Sequence, residues 1–425
     1  MTLKRKWVPE KSDRFRLYAC IYGLAVLAWY AIHTARVSYP GFPLGGPGDF
    51  TSFLAAGQII AKGEANRLYD LGLQSATQRS LLAGYALDAQ SLFLPYAYPP
   101  FFALLFTPLA HLPLPWAYHL WNSVNLGLLL ASVWLVWRQW GSNPRGNFLL
   151  ASLLALSFVP VIAAFYNGQS SFILLFAMTL ALLALKSRRD FLAGAALAMG
   201  LVKPQLVLLI LAVLVYRRGW RALLGFTVAS AVLLLVSIAV VGKEGLEGYV
   251  VVLRAGLAWD GMTGMYPALM PNLRGMVYRM GELFTIWSGT KISTPVLSAI
   301  TVSLTIAVFA LTLRAWRAFS SQQSPRFELL AMLTLAGTAL VSPHLYPQDL
   351  TLLVVGALLV CDASSRYGQG WQLPLAGAGH VVLLVALLLL PGPARAQVAV
   401  LLLAAVMIVS YSELRRASGA DATTA

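Results

Sequence analysis

Apolar runs alternate with short polar or basic breaks almost from one end of the chain to the other. Segments 15–36, 113–137, 222–241 and 292–313 each approach the about 20 apolar residues that a helix needs to cross a bilayer. Shorter runs pair into hairpins: 147–165 with 170–185 around NGQ, 190–202 with 205–216 around Lys203-Pro204, 328–341 with 349–361 around SPHLYPQD, and 373–391 with 396–412 around PGPAR. At about 1.5 Å per residue the short members reach only about 20 Å. They are expected to stop inside the membrane and leave their turns in a recessed cavity, because irregular backbone at that depth survives only in protein or against water. HLPLP splits residues 98–137, so the first piece is expected to be a partial or re-entrant helix and the second a crossing, for about twelve spans. Between the first two spans, FTSFLAAGQIIAKG and LGLQSATQRSLLAG have helical periodicity with glycine stops. Their moderate hydrophobicity predicts helices lying at the interface.

Composition turns this pattern into a class. Of the 425 residues, 59% are hydrophobic and 11% charged, against about 25% charged in soluble proteins. The expected fold class is an all-α polytopic membrane protein. Net charge +15 would point to nucleic acid in a soluble protein. Here it reports membrane orientation, and no nucleic-acid partner is expected. Cys20 and Cys361 lie in or at apolar segments and give neither a disulfide framework nor a metal spacing. Residues 15–36 are long and lack a small-residue cleavage site, so they read as a retained span.

Charge then orients the helices. Basic clusters at 4–16, 138–145, 186–189, 217–221, 314–326 and 413–416, with Arg366, hold 20 of the 31 Lys and Arg. Short cytoplasmic loops collect such residues. This gives a cytoplasmic N-terminal segment at 1–14, a single transmembrane domain at 15–412 with outer loops at 37–97 and 242–291, and a cytoplasmic tail at 413–425 whose end, ASGADATTA, is expected to be disordered. The protein is expected in the cytoplasmic membrane, with its active site facing the periplasm or exterior.

Four polar features fall on the outer side of this topology: Asp49 in GGPGDF, NGQ at 167–169, Lys203, and the stretch from His344 to Asp349. Each has an ordinary alternative. Asp49 could be a turn residue or the N-cap of the following helix, and NGQ could simply end one helix and begin the next. Lys203 could snorkel, although a lysine at helix centre costs about 2.5–3.5 kcal/mol on insertion scales. His344 and Asp349 could satisfy each other. His33, His111, His119 and His380 read as structural, and Tyr96, Tyr98 and Trp116 to Trp121 as an interfacial aromatic belt. Together, a carboxylate, a lysine and a histidine in an outward cavity suit glycosyl transfer from a lipid phosphate. The attacking hydroxyl needs a general base, and the departing phosphate needs cations. The chain has neither GxGxxG nor a P-loop, which a donor arriving through the membrane would explain.

GDFTSFLAAGQIIAKGEANRLYD, YAYPPFFALLFTPLAHLPLPWAYHLWNSVN, NGQSS, GLVKPQ and SPHLYPQDL, in that order, resemble glycosyltransferase family 87. This family lies within the GT-C superfamily and includes bacterial polyprenyl-phosphate-mannose-dependent α-mannosyltransferases. The resemblance runs from about residue 45 to about residue 355. It implies a GT-C fold and makes Asp49, the acid of the first outer loop, the catalytic base. It implies that the later polar positions, Asn167, Gln169, Lys203, His344 and Asp349, bind the donor, with Lys203 at its phosphate. MPNLRG adds Asn272 and Arg274 to the donor side. Asp70 and Asp88 are candidates for a second acid, but neither sits in a metal-ligand pattern, so no metal and no cofactor are expected. The implied partners are a polyprenyl-phosphate-linked sugar, a lipid or glycan acceptor and the bilayer. The expected activity is inverting transfer, with mannose favoured. The alternative is a transporter or flippase of lipid-linked sugars, which would show paired broken helices in its two halves; none is evident. A structural subunit of an envelope assembly would tolerate replacement of Asp49 and Lys203.

Overall fold

The computed structural model describes residues 48–83, 93–140, 148–256, 266–319, 326–367, 390 and 392–422, with isolated positions of the first apolar run. Asp88, Cys20, His33, His380 and most of the run at 373–391 lie outside these residues. The described residues contain helices and no strand. In order the helices are α1 (Asp49–Ala61), α2 (Leu71–Leu81), α3 (Pro100–Ala103), α4 (Leu114–Trp140), α5 (Phe148–Leu156), α6 (Val159–Tyr166) and α7 (Ser171–Lys186). There follow α8 (Asp190–Ala198), α9 (Leu208–Arg218), α10 (Trp220–Gly256), α11 (Leu273–Ser288), α12 (Thr294–Ala318), α13 (Arg326–Val341), α14 (Leu353–Tyr367) and α15 (Gly392–Ala422).

Four helices are long and apolar enough to cross a bilayer: those over Leu114–Gln139, Trp220–Arg254, Thr294–Ala318 and Gly392–Arg416. α5 and α6 add a fifth if counted as one span bent by 65°. The protein is therefore a multi-pass, all-helical membrane protein. Among the described residues the expected twelve crossings are not reached. Ser171–Lys186, Asp190–Val202, Phe327–Val341 and Pro347–Val360 are shorter apolar helices, below the about 20 residues of a full crossing. Residues 98–112 are likewise no span. They form α3, a 3₁₀ turn at Leu104–Phe106 and further turns.

Contacts sort the connecting segments to two ends. Asn66, in the first predicted outer loop, donates to Glu244 in the second at 3.0 Å. That contact exists because α10 does not stop at 241. It bends at Gly242 (φ 65) and continues as helix over the first loop. Asn272 reaches Ser342 at 2.8 Å, and Gln397 reaches Ala268 at 3.4 Å, so SPHLYPQD and PGPAR share that end. At the other end Lys186 lies 3.9 Å from Glu328. The C-terminal residues differ from expectation: α15 runs on through Ala422 rather than ending at 412.

Two apolar cores result. The larger joins α4, α6, α7, α9, α13, α14 and α15 through residues such as Phe172, Leu206, Leu330, Val355 and Leu403. The smaller surrounds α1 and is aromatic, with Phe50, Phe53, Tyr96, Phe102, Phe106, Tyr118 and Trp121. This corrects the aromatic-belt reading for Tyr96 (0% exposed) and Trp121 (4%), which are buried; Trp116 (69%) remains at the surface. Their rings meet mostly edge to face or tilted, as with Phe53 and Phe102 at 5.1 Å and Phe106 and Trp121 at 4.7 Å. Such pairs add about 0.5–1.5 kcal/mol beyond burial. That packing fixes the first loop as a solid floor, and it anchors the start of α1.

Candidate active site

The site begins where two turns interlock. Gly48 precedes α1 with φ 51, and Gly168 of the NGQ turn has φ 57, values that favour glycine. The two turns press together: a Cβ on Gly48 would lie 2.5 Å from Asn167 Oδ1, and one on Gly168 would lie 2.7 Å from Phe50 Cβ. Phe50 donates its backbone N–H to the Asn167 carbonyl at 3.1 Å. Asp49 is thus the first residue of α1 and not its N-cap; Gly48 takes that place.

A single face of α4 holds the other side of the NGQ turn. Tyr118 Oη donates to the Phe165 carbonyl at 2.8 Å, Trp121 Nε1 to Gly168 at 2.8 Å, Asn122 Nδ2 to Phe165 at 3.2 Å, and Asn125 Nδ2 to Gln169 at 3.2 Å. Spacings of three and four place these side chains on one helix face. The Phe165 carbonyl lies in the last turn of α6, and those of Gly168 and Gln169 lie in the turn beyond it. The polar Asn122 and Asn125 in an apolar helix were the sequence signal for this grip. They were read as part of a longer apolar stretch.

Beyond the turn, the side chains of Asp49, Gln169, Lys203, Ser171 and Asp349 form one chain of contacts, joined at Gln169 by Tyr98. Gln169 Nε2 donates to Asp49 Oδ2. Lys203 Nζ donates to Gln169 Oε1 at 3.0 Å, to Ser171 Oγ at 3.2 Å and to Asp349 Oδ1. Ser171 Oγ also donates to Asp349 Oδ1 at 3.2 Å, and Asp349 Oδ2 accepts from the Tyr346 N–H at 3.0 Å. Tyr98 Oη lies 3.4 Å from Gln169 Oε1. Gln169, Lys203 and Asp349 are buried at 2%, 5% and 3% exposure, while Asp49 is half-buried. Burial pushes the Asp49 carboxyl up to about 6; Lys203 and the Gln169 hydrogen bond lower it, and Asp349 raises it.

The lysine arrives here because Pro204 follows it. The chain passes from one 3₁₀ turn (Met199–Val202) to another (Pro204–Leu206), with Lys203 between them at φ −134. Its partner is Asp349, so the alternative in which Asp349 pairs with His344 is replaced by a longer-range ion pair. Ser171 and Tyr98 were not singled out in the sequence as site neighbours, since a serine after NGQ and a tyrosine beside prolines look like turn and interface residues.

The remaining candidates gather around the non-helical residues 342–346 and the start of α11. Asn272 caps α11 by accepting from the Gly275 N–H at 2.7 Å and donates to the Ser342 carbonyl. Arg274 donates to the Pro343 carbonyl at 3.2 Å and lies 5.5 Å over the Tyr278 ring. His344 stacks edge to face with Tyr346 at 5.1 Å. These residues connect to the first group through Tyr346 and Asp349. Asn167 donates its side-chain amide to Ala163 and packs against Gly48, the residue before Asp49. Asp70 caps α2, accepting from Leu73, and pairs with Arg67, so it does not converge on Asp49.

An open groove of about 580 Å³ is walled by apolar side chains. Phe101, Leu105, Trp121, Ile173, Val202 and Leu233 are among its walls. Val202 and Ile173 stand one and two residues from Lys203 and Ser171, so the groove and the polar site share backbone.

The model for glycosyltransferase family 87 matches residues 96–343. That stretch includes NGQ, Lys203, Asn272 and Arg274; Asp49 precedes it, and His344 and Asp349 follow it. No curated protein and no solved structure matches the chain. With more than half of its length matched, this helical membrane protein belongs to glycosyltransferase family 87.

Proposed function

We propose that the protein transfers a sugar, mannose favoured, from a polyprenyl-phosphate donor to a hydroxyl of a lipid-linked or envelope glycan, with inversion, at the outer face of the cytoplasmic membrane. The acceptor oxygen attacks the anomeric carbon and its proton passes to Asp49. The bond from the anomeric carbon to the phosphate oxygen breaks, and polyprenyl phosphate leaves. A positioned base contributes about 10²–10⁴-fold to such a step. Asp49 suits the task because one carboxylate oxygen is held by Gln169 and the residue is only partly buried. The resemblance puts Arg274 and His344 on the donor side, where cations offset the charge that develops on departure.

The observation that carries this reading is the shared backbone of the apolar groove and the polar chain at Ile173–Ser171 and Val202–Lys203. A polyprenyl tail in the groove would bring its phosphate to the polar end. The test is to incubate membranes containing the protein with a panel of labelled polyprenyl-phosphate sugars, alongside Asp49→Asn. Transfer by the wild type alone supports the reading. Equal transfer by both, or none from any donor, removes it.

A further inference from the structure

Lys203 has three N–H donors and three protein acceptors: Gln169 Oε1, Ser171 Oγ and Asp349 Oδ1. All three sit in a pocket where the lysine is 5% exposed. Gln169 lies between a carboxylate, which only accepts, and an ammonium, which only donates. One orientation of its amide satisfies both neighbours, with Nε2 toward Asp49 and Oε1 toward Lys203. The rest of Gln169 is also fixed, since its N–H donates to Ala164 at 2.8 Å and its carbonyl accepts from Asn125.

We propose that Lys203 is a positioning residue: anchored by Asp349 and Ser171, it holds the Gln169 amide in the orientation that presents Nε2–H to Asp49. This rests on the reading of Asp49 as the base, and it replaces the direct contact between Lys203 and a donor phosphate. Without the ammonium, only the long contact from Tyr98 Oη at 3.4 Å is left at Gln169 Oε1 among the described residues, so the amide can turn its carbonyl toward Asp49 and set two acceptors against each other. The charged and titratable groups acting on Asp49 are Lys203 from the hairpin tip, Asp349 from the turn at 347–352, and Tyr98 from the segment before α3.

The single variant Lys203→Met leaves Asp349 buried without its counter-charge, which destabilises strongly. The decisive variant is therefore Lys203→Met with Asp349→Asn, which removes both charges. Full-length protein in membranes is assayed with the labelled polyprenyl-phosphate hexose that the wild type consumes, beside thermal unfolding of the purified variants. The double variant is expected to fold, to lose about tenfold or more in kcat, and to keep KM for the donor within about twofold. A charge-assisted hydrogen bond of ordinary strength sets that scale. Its acid limb should move to higher pH, whereas Asp349→Asn alone should move it lower. Adding Gln169→Leu to the double variant should cost little more, because the same contact is already lost. A raised donor KM at unchanged kcat, an unmoved acid limb, or losses that multiply with Gln169→Leu would each overturn the positioning role. Retained transfer by Asp49→Asn removes the base itself, so the two failures are told apart.

Discussion

Gly48 and Asn167 approach so closely that a methyl group on Gly48 would sit 2.5 Å from Asn167 Oδ1 and 3.1 Å from its Cα. The contact joins two hairpin tips that the chain separates by more than a hundred residues, and Asp49 stands on the seam. Gly48→Ala meets both this clash and a φ of 51. Left-handed backbone costs a non-glycine residue about 1–2 kcal/mol. The expected outcome is a fall in thermal stability together with a loss of transfer larger than that fall explains, measured on purified protein and membranes. Normal transfer in Gly48→Ala would show that the turn tolerates displacement.

Asp49 sets the acid limb. Its carboxyl is pushed up to about 6 in the folded protein, chiefly by burial. A base works in its ionised form, so transfer should be full above that value and fall about tenfold per pH unit below it. Asp49→Asn should lower turnover by about 10²–10⁴-fold at every pH while leaving insertion intact. A pH–rate profile that stays flat between about pH 5 and 7 would dissociate Asp49 from the proton transfer.

Two glycines decide whether the hairpin holding Lys203 seats properly. A Cβ on Gly194 would lie 1.9 Å from the Ala222 carbonyl, and one on Gly225 would lie 2.0 Å from that of Phe191. Helices α8 and α10 therefore touch backbone to backbone, as small residues permit in membranes. Gly194→Val and Gly225→Val should each destabilise by about 1–3 kcal/mol, the usual cost of overpacking. Because both act on one crossing, the double variant should cost less than their sum. Strict additivity in thermal unfolding would place them at independent contacts.

Cysteine labelling tests which end faces outward. In a background with Cys20 and Cys361 replaced, Lys62→Cys and Lys243→Cys should react with an impermeant thiol reagent on intact cells. Ser187→Cys and Arg317→Cys should react only after the membrane is opened. All four positions are exposed. The hydrogen bond from Asn66 to Glu244 already puts the first pair's segments together. External labelling at Ser187 would reverse the orientation read from the basic loops and place Asp49 at the cytoplasmic face.

Periodicity and charge alone determined that the chain is a helical membrane protein and that NGQ, Lys203-Pro204 and SPHLYPQD interrupt short helices; the resemblance to family 87 was carried by the residues of the motifs themselves. Apolar periodicity reports a residue's own helix, and prolines and glycines report where that helix ends, so these features needed no neighbour. The same signals were weaker where a helix ignores its polar residues: α10 runs past Gly242, and α15 runs past residue 412. The aromatic residues were misread as a belt, because Tyr and Trp suit both an interface and a core with hydrogen-bond partners.

Only the tertiary structure decided the partners. Asp49 meets Gln169 across 120 positions, and Lys203 meets Asp349 across 146. Sequence spacing carries no information about such pairs once the chain has turned several times through the bundle. In apolar surroundings, however, an unpaired charge costs several kcal/mol, so each polar side chain left by the sequence must find another. The sequence therefore specified that Asp49, Gln169, Lys203 and Asp349 need partners. Which residue each one found was set by the interlocked glycine turns and the grip of α4, and these exist only in the folded protein.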